Sequence, residues 1–509
     1  MRILFGRKET EEEPSPMPIN VEHLINLQKA SFANIQLFDF ASFRAPEQLR
    51  TLHIEACQML GDWRYVAQLP KLRSLHVATE LGVTNIMAEF PTSLTDLSVH
   101  TRTEFIAEIF NLPPRLELLS LQYVILPISY EELPFPDTLK NLHLRLSNDN
   151  DILQNLNLPQ LDKLHLEATV SDLRILPRSL SQFCYKDCVF TPLLNSDLQD
   201  YTNLTSLSVN GLKLATLDFK LPPNLQYLDL RDNCLSKIEL DCCKLLKLYA
   251  CRNKLSHLNK SSIRLPEGLV ELQLNELKLI KEDEKGCLSD PKYSSVYEPC
   301  LPVSLETLSI TNSNITDVIL NKLELSKLSK LKELCLHANN ISLLSSAEFP
   351  KSLVSLDISS NQIERITEGN FSDFRSLRGI DINRNPTLGE GLVERPIVFP
   401  HSLEYLNLSA CWMPIKAVQN LIVNDCKNLR WAFLVLTKPI PDLLSFLDAV
   451  QKHCPLISSV HVDQWNQTPF KSMNFKFLDT TYDFTRFHTL SSNVMTPRQA
   501  NAGLILEIL

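Results

Sequence analysis

Apolar residues recur in the pattern Leu-x-x-Leu-x-Leu-x-x-Asn/Cys/Ser from about residue 49 to residue 462, with copies spaced mostly 19 to 28 residues apart. The clear copies are Leu49-Leu52-Ile54-Cys57, Leu225-Leu228-Leu230-Asn233, Leu331-Leu334-Leu336-Asn339, Leu353-Leu356-Ile358-Asn361 and Leu403-Leu406-Leu408-Cys411. A copy this short cannot bury both sides of its own leucines. Neighbouring copies must therefore stack and supply one another's core, and the terminal copies need caps. Within a copy, alternation of apolar and polar residues puts one side chain inside and the next outside, so each segment reads as a short strand. Stacked strands then make one parallel sheet.

The pattern resembles the leucine-rich repeat family. The fold this implies is an α/β leucine-rich repeat solenoid, curved, with its parallel sheet on the concave face. Copies begin at residues 49, 72, 94, 116, 139, 161, 180, 204, 225, 245, 269, 305, 331, 353, 377 and 403, with weaker ones at 429 and 457. In most of them a proline lies two or three residues before the first leucine, as in Phe90-Pro91-Thr92-Ser93-Leu94 and Phe349-Pro350-Lys351-Ser352-Leu353. Proline forbids a helix running into that point, which predicts a convex side that is mostly extended or 3₁₀. Helices are expected in the C-terminal repeats, over 417–426 and over the segment that opens at Pro441-Asp442 and closes at Cys454-Pro455, where Leu443, Leu444, Leu447 and Val450 have helical spacing.

The side chain that bonds backbone groups after each strand is asparagine at Asn233, Asn253, Asn339, Asn361 and Asn385, and a small polar or thiol residue at Cys57, Ser147, Thr169, Cys188, Ser313 and Cys411. Arg102, Leu212 and Leu277 break the pattern and predict irregular turns. The expected organisation is a disordered acidic tail over 1–19 and an N-terminal cap over 20–48, in which Asn20 caps a helix carrying Val21, Leu24, Ile25 and Gln28. The solenoid follows over 49–467, with a surface insertion at about 281–300. A C-terminal tail or cap over 468–509 ends on the apolar run Gly503 to Leu509.

A net charge of -9 over 509 residues is mild and argues against a nucleic-acid or membrane partner. No secretory leader or membrane-length apolar run is read, and the thirteen cysteines are scattered rather than clustered at the ends. The expectation is a cytoplasmic protein with free thiols, the nucleus being the other compartment open to it. Sequons such as Asn203-Leu204-Thr205 follow from asparagine in the repeat. The chain has no Gly-rich phosphate loop, nucleophile elbow, His-Glu-x-x-His or Cys-x-x-Cys pair, so it is read as not an enzyme and as using no cofactor.

The outward positions between strand leucines carry the candidate binding residues. In the first half, the central outward place holds His53, His76, Ser98, Ser120, His143 and His165, with Glu55 and Glu167 two residues further on the same face. This column reads as polar contacts for a partner, as a pH-sensitive or metal-binding strip, or as exposed histidines repeated with the unit. No metal site is assigned, because two histidines without a fixed third ligand do not define one. Tyr227, Asp229, Arg231, Lys247, Tyr249 and Arg252 form a second candidate patch, and Tyr405, Trp431 and Phe433 a third if the weak copy at 429 is in register. The tail after residue 468 would otherwise cover Trp431 and Phe433. The insertion is read as a loop rather than as a binding site built on Tyr293 and Tyr297.

Together these features predict a non-enzymatic scaffold or adaptor that binds a protein partner on the concave face. A substrate-recognition subunit of a cullin-type ubiquitin ligase is the alternative, since Asp425-Cys426-Lys427-Asn428-Leu429 and His453-Cys454-Pro455-Leu456 are similar to the Cys-containing repeats of F-box proteins, although residues 1–48 carry no F-box. Leu221-Pro222-Pro223-Asn224-Leu225 also resembles the repeats of secreted bacterial effectors, which are shorter and more uniform than these.

Overall fold

The computed structural model describes residues 2–4, 18–60, 62–79, 85–125, 135–146, 158–167, 176–186, 198–280, 300–368, 371–394, 397–414, 416–417, 426–436, 452–457, 459–464 and 471–476. It divides into two compact units, Met1–Asp229 and Leu230–Leu509.

In the first unit, strands follow one another in sequence order and pair in parallel from Arg2–Leu4 through Lys29–Phe38, Thr51–Met59, Ser74–Thr79, Asp96–Asn111, Leu118–Ile125, Asn141–Leu146, Lys163–Glu167, Gln182–Lys186 and Ser206–Ser208 to Tyr227–Asp229. Leu52, Leu75, Leu97, Leu119, Leu142, Leu164, Phe183, Leu207 and Leu228 stand opposite one another along this sheet. Each is 2 % exposed or less. This row is the stacked core that the repeat pattern requires.

In the second unit the parallel order runs through Lys247–Tyr249, Glu271–Gln273, Thr307–Ser309, Glu333–Cys335, Ser355–Asp357, Gly379–Asp381, Tyr405–Met413, Trp431–Leu436 and Ser459–Gln464. The weak copies at 429 and 457 are therefore true repeats, with Leu429 and Ile457 buried. Lys471–Lys476 then pairs antiparallel with Ser459–Gln464, which ends the parallel run. Glu271–Gln273 and Thr307–Ser309 are direct neighbours although 281–299 lie between them and outside the described residues. The extra chain thus leaves the register of the sheet unbroken.

Strand length tracks the turn residue. At Asp232, Arg252, Glu276, Asn312, Ala338, Ser360, Arg384 and Ala410 the backbone takes a positive φ of 49 to 58° immediately before the buried side chain that closes the turn. That conformation bends the chain out of the sheet after each three-residue strand from Tyr227–Asp229 to Gly379–Asp381, whereas the strand Tyr405–Met413 runs on past Ala410. Among the described residues glycine takes the equivalent place only at Gly211, before Leu212, and non-glycine residues hold it at the positions just named, in keeping with a chain of only 11 glycines. Where Cys57 and Arg102 occupy the asparagine place, no such bend forms, and the strands continue to Met59 and Asn111. At Leu277 the asparagine has moved to Asn275, whose Oδ1 accepts from the Ser309 hydroxyl at 2.8 Å and the Thr311 N–H at 2.9 Å.

The prolines before the ladder act as turn acceptors: the N–H groups of Leu94, Leu225, Leu353 and Leu403 donate to the carbonyls of Pro91, Pro222, Pro350 and Pro400 at 3.0 to 3.3 Å. Among the described residues the other side of the repeats is mostly extended or 3₁₀, in keeping with the prolines, with small two-stranded sheets at Ile238–Glu239 with Ile263–Arg264 and at Leu343–Ser345 with Arg365–Glu368. Two α-helices of six and seven residues are described, Asp317–Lys322 and Leu388–Glu394. The helices expected over 417–426 and 441–454 fall mostly outside the described residues.

Two expectations near the N-terminus are corrected. Residues 21–28 form single turns, not a helix. The Asn20 Oδ1 accepts the Glu22 N–H at 3.0 Å and closes an Asx turn, and Ile25 is 69 % exposed, so Val21, Leu24 and Ile25 share no buried face. The cap is instead the strand Lys29–Phe38 with an aromatic cluster, in which Phe40 stands 5.1 Å from Phe38 and 5.5 Å from the fully buried Trp63. Within the expected tail, Arg2–Leu4 adds a strand against Ser31–Ala33, while 5–17 with the acidic run lie outside the described residues.

The helix Leu388–Glu394 seats directly on the end of the strand Tyr405–Met413. A Cβ at Gly389 would overlap the carbonyl oxygens of Cys411 and Trp412. Gly389→Ala is expected to cost about 1–3 kcal/mol, because backbone rather than a flexible side chain must give way. The loss is read as a lower urea midpoint with unchanged slope.

Candidate functional site

Parallel pairing keeps one register across the Leu-x-Leu core of successive strands and turns those repeat positions into columns. On the open face of the first unit His53 stands opposite His76, His76 opposite Ser98, Ser98 opposite Ser120, Ser120 opposite His143 and His143 opposite His165, as the sequence count requires. The His53 and His76 rings lie 4.3 Å apart and those of His143 and His165 4.0 Å. Two members of this face escaped the sequence reading. His100, two residues beyond Ser98 and so on the same side, lies 5.0 Å from the His76 ring, with its Nε2 3.0 Å from both the Ser98 and Ser120 hydroxyls. Cys184 stands opposite His165 on the far side and extends the column.

Burial pushes His76 down to about 4, with the neighbouring charges of His53 and His100 adding to it. Burial with His165 does the same to His143, also to about 4. Both imidazoles are therefore neutral near pH 7 and present lone pairs rather than charge. Glu167 is held below the usual carboxylate range: burial works against this, but the hydrogen bond from His165 and the charges of Lys186 and Arg145 outweigh it. Burial raises the Cys184 thiol.

Tyr227 and Asp229 belong to the first unit, while Arg231, Lys247, Tyr249 and Arg252 belong to the second. Asp229, expected among the partner contacts, is 2 % exposed; its carboxylate accepts from the Ser208 hydroxyl at 3.2 Å and the Asn210 amide at 3.3 Å. It braces its own neighbours instead of offering a contact. In the second unit the Arg231 guanidinium lies 5.7 Å over the Tyr249 ring, and the Tyr249 hydroxyl donates to Glu271 at 2.7 Å. Lys247 pairs with the same Glu271 at 2.8 Å. Arg252 occupies one of the left-handed turn positions and bridges Asp232 and Glu276, which hold that position in the adjoining repeats. These charges preorganise a half-exposed aromatic and guanidinium surface.

The third patch is in register: Tyr405 stands opposite Trp431, both half-buried. Phe433 stands opposite Asn407, and its side chain lies outside the described residues. Between these patches the column runs Ser309, Cys335, Asp357, Asp381 and Asn407. Counting four residues on from each first leucine would have found it. Burial and the charge of Asp357 push Asp381 up to about 6, and Asn407 donates to it at 3.0 Å.

Residues 351–412 match the family model described as leucine rich repeat. Toll-like receptor 2 type-2 of Gallus gallus is 29% identical over 220 residues, 38% of this chain and 27% of that protein. Podocan of Mus musculus is 28% identical over 221 residues, 42% of this chain and 34% of that protein. The chain thus spans about a quarter to a third of the length of these relatives. Among solved structures, YopM from Yersinia enterocolitica WA-314 aligns over 75% of this chain and 82% of its own at 21% identity, with a TM-score of 0.39.

Proposed function

Because the chain is a leucine-rich repeat solenoid, we propose that it is a non-enzymatic adaptor that binds a protein partner on the open face of its parallel sheet. Repeat folds of this kind generally serve protein–protein interaction, and they do so with the face whose residues vary freely between core leucines. The observation that carries the reading is the Arg231–Tyr249 pair, a guanidinium over an aromatic ring, held from below by Glu271 and flanked by Lys247 and Arg252. Arginine and tyrosine dominate binding energy at interfaces because they bring large, rigid area together with directional hydrogen bonds. Tyr405 and Trp431 provide a second anchor of the same character. The compartment we propose is the cytosol. The described cysteines, from Cys184 to Cys454, are free thiols, as a reducing environment leaves them. No described helix is long and apolar enough to cross a membrane.

Affinity purification of the tagged chain with mass spectrometry, run beside an Arg231→Ala/Tyr249→Ala variant, tests this. The variant is expected to lose its partner, a hot-spot pair being worth about 2 kcal/mol or more, or roughly thirtyfold in affinity. Its thermal unfolding should stay within about 1 kcal/mol of the parent, as for substitutions on a solvent-facing surface. An unchanged partner set would remove this patch from the interface. Recovery of a cullin and its adaptor would instead support the ligase-subunit alternative.

A further inference from the structure

Strands Asn141–Leu146 and Lys163–Glu167 pair in parallel so that His143 faces His165, and Glu167 projects from the same face two residues on. Donor atoms of the three side chains all lie within 4.8 Å of one another, the one such grouping of three His, Cys, Asp or Glu donors among the described residues. The Glu167 Oε1 is 3.1 Å from the His165 Nε2. We propose that His143, His165 and Glu167 form a binding site for a divalent transition-metal cation of the zinc class.

Three features favour a cation of that class. Two imidazoles and one carboxylate form a borderline donor set, which suits zinc and its neighbours; calcium and magnesium demand oxygen ligands throughout. The strand spacing of about 4.8 Å fixes the two histidines side by side, so closing the donors onto bonds of about 2.0–2.2 Å needs rotation of side chains and no movement of backbone. All three groups are half-buried, walled by the sheet beneath and open above, which leaves an outward coordination position for water or for a ligand brought by a partner.

The surrounding charges are arranged to let this happen. Arg145 holds the other carboxylate oxygen, Oε2, at 3.2 Å while its guanidinium rests 4.0 Å over the Tyr123 ring. It therefore steers Oε1 toward the histidines, as outer contacts do around bound metals. Lys186 meets Oε1 at 3.4 Å with a side chain 42% exposed, and it leaves for solvent when the cation arrives. Cys184, next in the column, is held as a neutral thiol by burial and is not counted as a ligand. The His53–His76 pair is the internal control. Its rings are equally close, yet Glu55 completes no three-donor group with it.

The test is zinc uptake by the full-length, metal-stripped chain, measured in competition with a chromophoric chelator and with excess magnesium present. His143→Ala and Glu167→Gln are each expected to lose one bound equivalent or to bind it at least about tenfold more weakly. His53→Ala/His76→Ala should keep that equivalent. Circular dichroism verifies that each variant is folded; if His143→Ala is not, His143→Gln replaces it. Equal uptake by parent and variants, loss in the His53/His76 variant alone, or displacement of the zinc by magnesium would each overturn the site.

Discussion

Asn339→Ala should lower the free energy of unfolding by about 3–6 kcal/mol, more than any substitution on the open face. Its Oδ1 accepts the N–H groups of Ser313 and Ile315, both at 3.0 Å. Its amide donates to the carbonyls of Ile310, Leu336 and His337 at 2.7, 2.9 and 3.4 Å. The side chain is 6 % exposed, so water cannot take over these partners. Alanine would orphan two backbone donors and leave carbonyls of two successive repeats under-satisfied, at about 1–3 kcal/mol for each buried group left unpaired. Asn340→Ala is the matched control. That side chain is half-exposed and makes a long bond of 3.3 Å to Asn314, so its loss should cost less than about 1 kcal/mol. Urea unfolding of both variants decides the point, since similar midpoints would mean that the asparagine ladder adds nothing beyond the leucine core.

The same ladder explains why so much of the fold could be read from the sequence. Leucine spacing fixes which side chains lie in the core, and parallel pairing in one register across the Leu-x-Leu segments converts that spacing into columns; this is why His53 and His76, or Tyr405 and Trp431, stand where counting puts them. Asparagine at Asn253 or Asn361 marks a tight turn because one side chain satisfies carbonyls of its own repeat and of the one before. Substitutes work by the same chemistry: the Ser313 hydroxyl donates to Thr311 and Leu274, and the Cys411 thiol to Ile382 at 3.1 Å. What escaped the sequence is what depends on distance rather than order. Nothing in the spacing says that Asp229 is buried and bonded to Ser208 and Asn210 while Arg231 is half-exposed. Glu167 was placed on the right face, but its approach to His165 depends on rotamers set by Arg145 and Lys186. The 20–48 cap misled because Val21, Leu24, Ile25 and Gln28 fit a helical period, whereas Asn20 closes a turn and the following residues 29–38 extend the sheet.

Leu356→Ala should cost about 2–5 kcal/mol, the range for truncating a buried leucine where the surroundings relax only in part. Leu356 is 1 % exposed and stands between Leu334 and Ile380 in the core row, so the cavity opens at the contact of three repeats. In a stacked repeat, stability is the sum of weak units and the interfaces that couple them. The loss should therefore fall on the coupling as well as on the repeat itself. Amide exchange is expected to accelerate first in the strands Glu333–Cys335, Ser355–Asp357 and Gly379–Asp381, ahead of Lys247–Tyr249 and Glu271–Gln273 in the same unit. Leu343→Ala is the contrasting substitution: that leucine is 41 % exposed, and its removal should change stability by no more than about 0.5 kcal/mol. Uniform acceleration across the second unit would show that it unfolds as one cooperative block. A near-zero cost at Leu356 would contradict the burial of the row on which the whole sheet is stacked.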